Sequence, residues 1–250
     1  MRWIKGLIPT VIILLGALLL GCICYISIWG VPSFVVQRVE KALLEKGIPS
    51  HIETLKVTLW PRAVVTLKNV ELLDPEAMPE IRRPIVLLHE ADVALNWKKL
   101  IEGQVVPERV NVKGMNVTLP VDAGNLEKVF SVTGVNAELN LGRPGMVDIV
   151  KADAVVQGIR VTAQGAFPIG QDDSGDFTLT AQDMAAVREQ LNQVLNYMDR
   201  VKWPDASPPR LIVNLSDDPK GGVRIGMDLQ APFLRYGKIM VRDFLFNGDY

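Results

Sequence analysis

Residues 87–97, LLHEADVALNW, decide the fold class. Leu87, His89, Ala91, Val93, Leu95 and Trp97 alternate with Leu88, Glu90, Asp92, Ala94 and Asn96. One side of this stretch is apolar and the other mostly polar. A period of two marks a β-strand that rests one face on apolar material and turns the other to water. The same pattern extends in both directions along the chain.

Upstream, Leu55, Val57 and Leu59 alternate with Lys56 and Thr58, and Trp60-Pro61 ends that strand. Residues 64–73 form the next strand, followed by a Pro-rich, charged loop. Downstream, KKLIEG (98–103) reads as a turn or a helical corner. Val110 and Val112 share one phase, and Met115, Val117 and Leu119 share the other. The slip falls on Gly114 and predicts a bulge or bend that keeps one face apolar. Further strands are centred on Val135-Ala137-Leu139-Leu141, Ala152-Ala154-Val156, Ile159-Val161-Ala163 and Phe177-Leu179-Ala181. Leu211-Val213-Leu215, Val223-Ile225-Met227-Leu229 and residues 239–246 complete the set.

Two helices interrupt the strands. Ser33 can cap a short amphipathic helix whose Val36, Val39 and Leu43 share a face, and Gly47 can end it. Met184, Val187, Leu191, Val194, Leu195 and Met198 fall on one side of a second helix, placed at 184–202. The expected fold is mainly β: a long, mostly antiparallel meander of ten or eleven strands, with no α/β alternation of the kind a nucleotide fold requires. The expected organisation is an N-terminal segment over 1–30, a β region with its short helix over 31–128, and a continuing sheet with the second helix over 129–250. The sequence stops at Tyr250 just after a strand, which fits a shortened chain or the first part of a larger protein.

Residues 7–29 carry no charge. As a helix they would be ~34 Å long, enough for a ~30 Å hydrocarbon core. Trp3 stands at one end and Tyr25 and Trp29 at the other, where interfacial aromatics sit. Arg2 and Lys5 precede the run and the next base is Arg38, so the positive-inside rule leaves the N-terminus in the cytoplasm. Leu19-Leu20-Gly21-Cys22 resembles a lipoprotein cleavage site. However, the apolar run continues past Cys22 as ICYISIW, and a cleavable signal has a shorter apolar core. The reading adopted is an uncleaved single-span anchor, with Cys22 as a small apolar filler.

After the anchor, 28 acids face 25 bases, a net charge of −3 that gives no reason to expect a nucleic-acid partner. Cys22 and Cys24 are the only cysteines, so the rest of the chain has neither a disulfide nor a thiolate metal site. His51 and His89 have no partner at metal-ligand spacing, and His89 reads as a satisfied histidine on the apolar face. QDDSGD (171–176) lacks the spacing and distal glutamate of a calcium loop and reads as a hairpin turn, as does SDDPKGG (216–222). No nucleophile motif, P-loop or metalloprotease motif is present. No catalytic residue, metal or cofactor is expected, and the protein is not read as an enzyme.

The order of these features resembles a known family. One N-terminal span is followed by a short helix, a strand, LWP (59–61), a strand AVVTLKNVELLDP (63–75), and then PIVLLHEADVALNWKKLIEGQVVPERVNVKGMNVTL (84–119). This combination resembles the N-terminal region of AsmA-like proteins, the group that includes AsmA, TamB and YhdP. The likeness covers residues 7–119 and rests on the ordered combination of degenerate motifs. The resemblance implies a bridge-like lipid-transfer protein in the inner membrane of a diderm bacterium, with its bulk in the periplasm. Its partners would be phospholipid acyl chains and envelope proteins at the far end. The task implied is phospholipid transfer towards the outer membrane in envelope biogenesis. Family members are longer. Eleven strands at ~4.8 Å spacing stack to about 50 Å, far short of a periplasm.

In such a groove, Leu87, Ala91, Val93, Leu95, Val110, Val112, Val117 and Leu119 would line the apolar face. Each CH₂ of an acyl chain costs ~0.8 kcal/mol when exposed to water, and a continuous apolar floor would remove that cost at every step. The alternation by itself is equally that of a sheet packed against a second layer. The alternative function is therefore a structural scaffold for envelope assembly, built on a filled core.

Overall fold

The computed structural model describes residues 30–249 except 75–83, 122–127, 144, 169–180, 205 and 218–222. The apolar run 7–29 and the aromatics Trp3, Tyr25 and Trp29 lie outside the described residues. So does QDDSGD. Among the described residues no helix is long and apolar enough to cross a membrane.

Eleven strands form one open sheet. They are β1 (Ser50–Thr58), β2 (Val64–Leu73), β3 (Pro84–Leu95), β4 (Pro107–Pro120), β5 (Val129–Asn140), β6 (Met146–Val156), β7 (Ile159–Pro168), β8 (Val201–Lys202), β9 (Arg210–Asp217), β10 (Val223–Tyr236) and β11 (Ile239–Asp249). The order is sequential from β1 to β7, then β9, β10 and β11, with β8 paired to the end of β10. Three helices accompany the sheet among the described residues: α1 (Ser33–Glu45), α2 (Trp97–Ile101) and α3 (Ala181–Met198).

The meander departs from antiparallel pairing once. β7 and β9 run parallel, with Val161 opposite Leu211 and Ala163 opposite Val213. The segment between them, which contains α3, is long enough to return the chain to the same end of the sheet, as a parallel neighbour requires. Gly165, at φ +125°, lies in this seam, and a Cβ there would collide with the Leu215 backbone. Only glycine fits both the conformation and the space.

The slip expected at Gly114 is one point of a line that crosses the first five strands. Leu55 and Leu67 pack on the same cluster as Ile52, Val70, Leu72 and Leu88. Ile52 and Leu55 are three residues apart, as are Leu67 and Val70, and a regular strand would put such residues on opposite faces. Ala91 and Val112 are the cross-strand partners of Leu67, and Met115 is the partner of Leu88. Each strand therefore inserts two consecutive non-core residues along this line: Lys68-Asn69, His89-Glu90 and Lys113-Gly114 among them. Asn69 (φ 49°), Gly114 (φ 64°) and Gly134 (φ 63°) adopt the left-handed conformation that allows the step.

Several local expectations change. Trp97 does not extend β3. Asn96 leaves the strand, its side chain accepts a hydrogen bond from the Lys99 amide, and Trp97 opens α2. Ser33 is not a cap but the first residue of α1, after Pro32, whose carbonyl receives the Val35 and Val36 amides. Gly47, at φ +78°, does end α1. The second helix starts at Ala181 rather than 184 and stops at Met198 rather than 202, because Val201–Lys202 pair with Tyr236 and Arg235 as β8. Ala181 thus belongs to a helix and not to the expected strand, whose other residues lie outside the described set. On α3, Leu195 is buried but Val194 is exposed, so the apolar stripe is narrower than its spacing suggested.

α1 lays Val36, Val39 and Leu43 over Ile52 and Val70 and covers the apolar face at the β1–β2 edge. α3 crosses the ends of the strands where β2 finishes and β5 begins. Its Arg188 pairs with the buried Asp74 at 3.0 Å, and the Lys128 Nζ donates to Asn192 and Asn196 at 2.6 and 2.7 Å. Residues 188, 192 and 196 share one helix face, so this strip docks α3 through polar contacts.

Two predictions follow from this architecture. Gly165→Ala should destabilise the protein by on the order of 3 kcal/mol in urea melts, whereas Gly142→Ala, where a Cβ meets only Glu108 at 3.9 Å, should change stability by less than about 0.5 kcal/mol. Asp74→Asn should remove the negative charge that the half-buried Arg188 guanidinium meets at 3.0 Å. Hydrogen exchange should then accelerate in α3 while β3 and β4 keep their protection.

Candidate functional site

The strand register assembles the alternating residues into transverse rows. Leu55, Leu67, Ala91, Val112, Ala137, Ala152, Ala163, Val213, Met227 and Gly248 stand opposite one another in turn across ten strands. A second row runs Val57, Val65, Val93, Val110, Leu139, Ile149, Gly165, Leu215 and Ile225. Directly paired residues share a face, so both rows lie on one side of the sheet. At ~4.8 Å per strand the longer row extends for about 43 Å.

Among the described residues, α1 packs over Leu55 and Leu67 at one edge, and the rest of the two rows has no second layer above it. Of the two rows, Ala91 is 4% exposed, whereas Val93, Val110, Val112, Leu139, Ile149, Ala152, Val213 and Met227 are only half-buried. Two rows of this length make an apolar strip on the order of 500 Å², at the top of the range for the largest patch on a typical monomer. Apart from Ala91, these described positions are less buried than the inside of a packed sandwich would make them.

The predicted lining residues separate into two groups. Ala91, Val93, Val110 and Val112 lie in the two central rows. Val117 stands between Val86 and Val132 in a further row, Leu119 lies opposite Phe130, and Leu95 ends β3 opposite Pro107. Leu87 does not belong with them. It is 42% exposed and sits between Glu71 and Asn116. His89 is also exposed, and its Nδ1 lies 3.2 Å from the Asn69 Oδ1. Asn69 in turn donates to Glu53 at 2.6 Å. Both residues were assigned to the apolar face by extending a strict alternation through His89-Glu90. The inserted pair reverses the phase there. The row positions beyond residue 119, from Ala137 to Met227, carry the same alternation, but their register against β3 and β4 is a property of the folded sheet.

The opposite face is ionic. Glu90 lies between its cross-strand partners Lys68 and Lys113, with contacts of 2.8 and 2.6 Å. Thr66 donates to Asp92 at 2.7 Å, Lys151 pairs with Asp153 at 2.7 Å, and Thr162 donates to Asp153 at 3.1 Å. Hydrogen bonds from Lys113 first and Lys68 second hold the Glu90 carboxyl down from its ordinary 4.5 to about 2. Lys151 does the same to Asp153, in direction. On this face the charges pair with one another, between neighbouring strands at Glu90 and within β6 at Asp153.

At the end of the sheet where β3 stops, a cavity of about 570 Å³ opens among Pro61, Arg62, Leu95, Trp97, Arg109 and Arg143. Arg143 pairs with Asp148, and Arg109 lies 3.6 Å from Glu138. Among the described residues no group of three His, Cys, Asp or Glu side chains could hold a metal ion.

Compared with models of protein families, with curated proteins and with solved structures, the chain finds no match.

Because its folded pKa is depressed, Glu90 contributes stability that is complete above about pH 4.5 and is lost as the pH falls towards 2. Glu90→Gln should remove about 1 kcal/mol at neutral pH and flatten the fall in stability between pH 4.5 and 2. Acid-dependent urea melts of the two proteins check this. Parallel curves would show that the Lys68–Glu90–Lys113 ladder contributes nothing.

Proposed function

We propose that this protein is a membrane-anchored, non-enzymatic lipid carrier of AsmA-like type, whose sheet shields phospholipid acyl chains from water. One observation supports the reading: apolar residues stand in register from β1 to β10 on a face that, among the described residues, α1 covers only at the β1–β2 edge. A tail laid along these rows exchanges one apolar contact for an equivalent one at each strand. The free energy along the track is then nearly level, while every CH₂ remains worth ~0.8 kcal/mol relative to water. A headgroup stays in water along the open side and needs no dedicated pocket. In this reading residues 7–29 span the inner membrane, the sheet lies in the periplasm, and transfer runs towards the outer membrane with a partner protein beyond the far strand.

Photo-crosslinking amino acids at Val93 and Val112 should trap phospholipid in cells. The same probe at Leu87, on the opposite face, should not. Protein adducts at Val93 and Val112 in place of lipid would favour the scaffold reading, in which a partner covers the face. Lipid adducts confined to Leu87 would end the carrier reading.

A further inference from the structure

Three observations converge on the end of the sheet where β1 and β3 stop. The first is where the chain arrives. The Val31 amide donates to the Leu55 carbonyl at 2.7 Å, and Gly30 packs so closely on Leu55 that a Cβ would lie 3.0 Å from that oxygen. The 23-residue apolar run ends at Trp29. The described chain therefore begins beside the second half of β1, directly after this run. The turn after β1, with Trp60, is five residues further on, at most ~17 Å away.

The second observation is exposure. Trp60 is 84% exposed, Ile101 73% and Val105 72%. They belong to two connections, β1 to β2 and β3 to β4, held side by side. The Leu95 amide donates to the Ala63 carbonyl, and the Asn96 amide to that of Val106, both at 2.8 Å. Pro61 and Trp97 line the same cavity between them. In water, apolar tips of this size expose surface for no gain in stability. The third observation is charge. Arg62 and Lys98 stand among these tips, and aromatic side chains beside cations match the headgroup boundary of a bilayer.

We infer that this rim, formed by the β1–β2 turn and the β3–β4 connection, docks onto the lipid surface of the membrane that residues 7–29 span. Trp60, Ile101 and Val105 enter the boundary between headgroups and acyl chains, and Arg62 and Lys98 lie over lipid phosphates. The inference rests on the anchored reading above and adds to it the place where lipid enters. A tail that leaves the bilayer at this rim meets Leu95 and then Val93, the β3 member of the second apolar row.

The test uses the full chain with Cys22→Ala and Cys24→Ala, reconstituted in vesicles of phosphatidylethanolamine and phosphatidylglycerol, some of it brominated on the acyl chains. A fluorophore is attached at Ile101→Cys, Val105→Cys or Leu245→Cys. Leu245 is equally exposed but lies on the opposite edge, in β11. The brominated lipid should quench the probes at 101 and 105 about twofold or more relative to 245. Equal quenching at all three positions, with the chain still resistant to alkaline extraction, overturns the docked rim and leaves the anchor standing. Release of the chain by alkaline extraction overturns both. Quenching at 101 and 105 without lipid adducts at Val93 and Val112 supports the rim and removes the carrier reading.

Discussion

A sheet that works as a single layer must keep its apolar side chains on one face across every strand, and a slip of one residue in any strand would invert that strand. This constraint governs the structure. It is met by cross-strand register, which places Leu67, Ala91, Val112 and Ala137 opposite one another. It is also met where the hydrophobic phase changes, because the strands change together. Lys68-Asn69, His89-Glu90 and Lys113-Gly114 lie side by side, and the left-handed residues Asn69 and Gly114 take up the extra step. A change of phase in β4 alone would have divided the apolar face in two. Made jointly, it leaves a crease and an unbroken apolar side.

The polar side reinforces the same register. Lys68, Glu90 and Lys113 form an ion ladder across three strands, and Glu53, Asn69 and His89 form a hydrogen-bonded chain along the crease. Each contact is worth little in water. Together they penalise a shifted alignment, in which like charges or apolar groups would stand opposite these residues. The seam at Gly165 imposes a different kind of constraint, since the turn to parallel pairing leaves no room for a side chain.

The helices divide the apolar face into covered and uncovered parts. α1 protects the β1–β2 edge, where Val36 meets Ile52 and Val70. α3 is fastened across the strand ends by Arg188–Asp74 and by Lys128. What remains is the length of the two central rows and the rim beside Trp60.

The sequence by itself determined the β class, most strands, both longer helices and the slip at Gly114, because hydrophobic period and turn chemistry act over a few neighbouring residues. It also placed Ala91, Val93, Val110 and Val112 on a common face of their strands. Leu87 and His89 were misplaced for a local reason: the step at His89-Glu90 carries no glycine or proline, and its cause lies in the strands on either side, at Asn69 and Gly114. The folded sheet alone sets the parallel pairing of β7 with β9, the common rows formed by ten strands and, among the described residues, the face left open beyond α1. Register and layering depend on contacts between residues far apart in the chain, and alternation along one strand is the same whether its apolar face meets another sheet, a lipid or nothing.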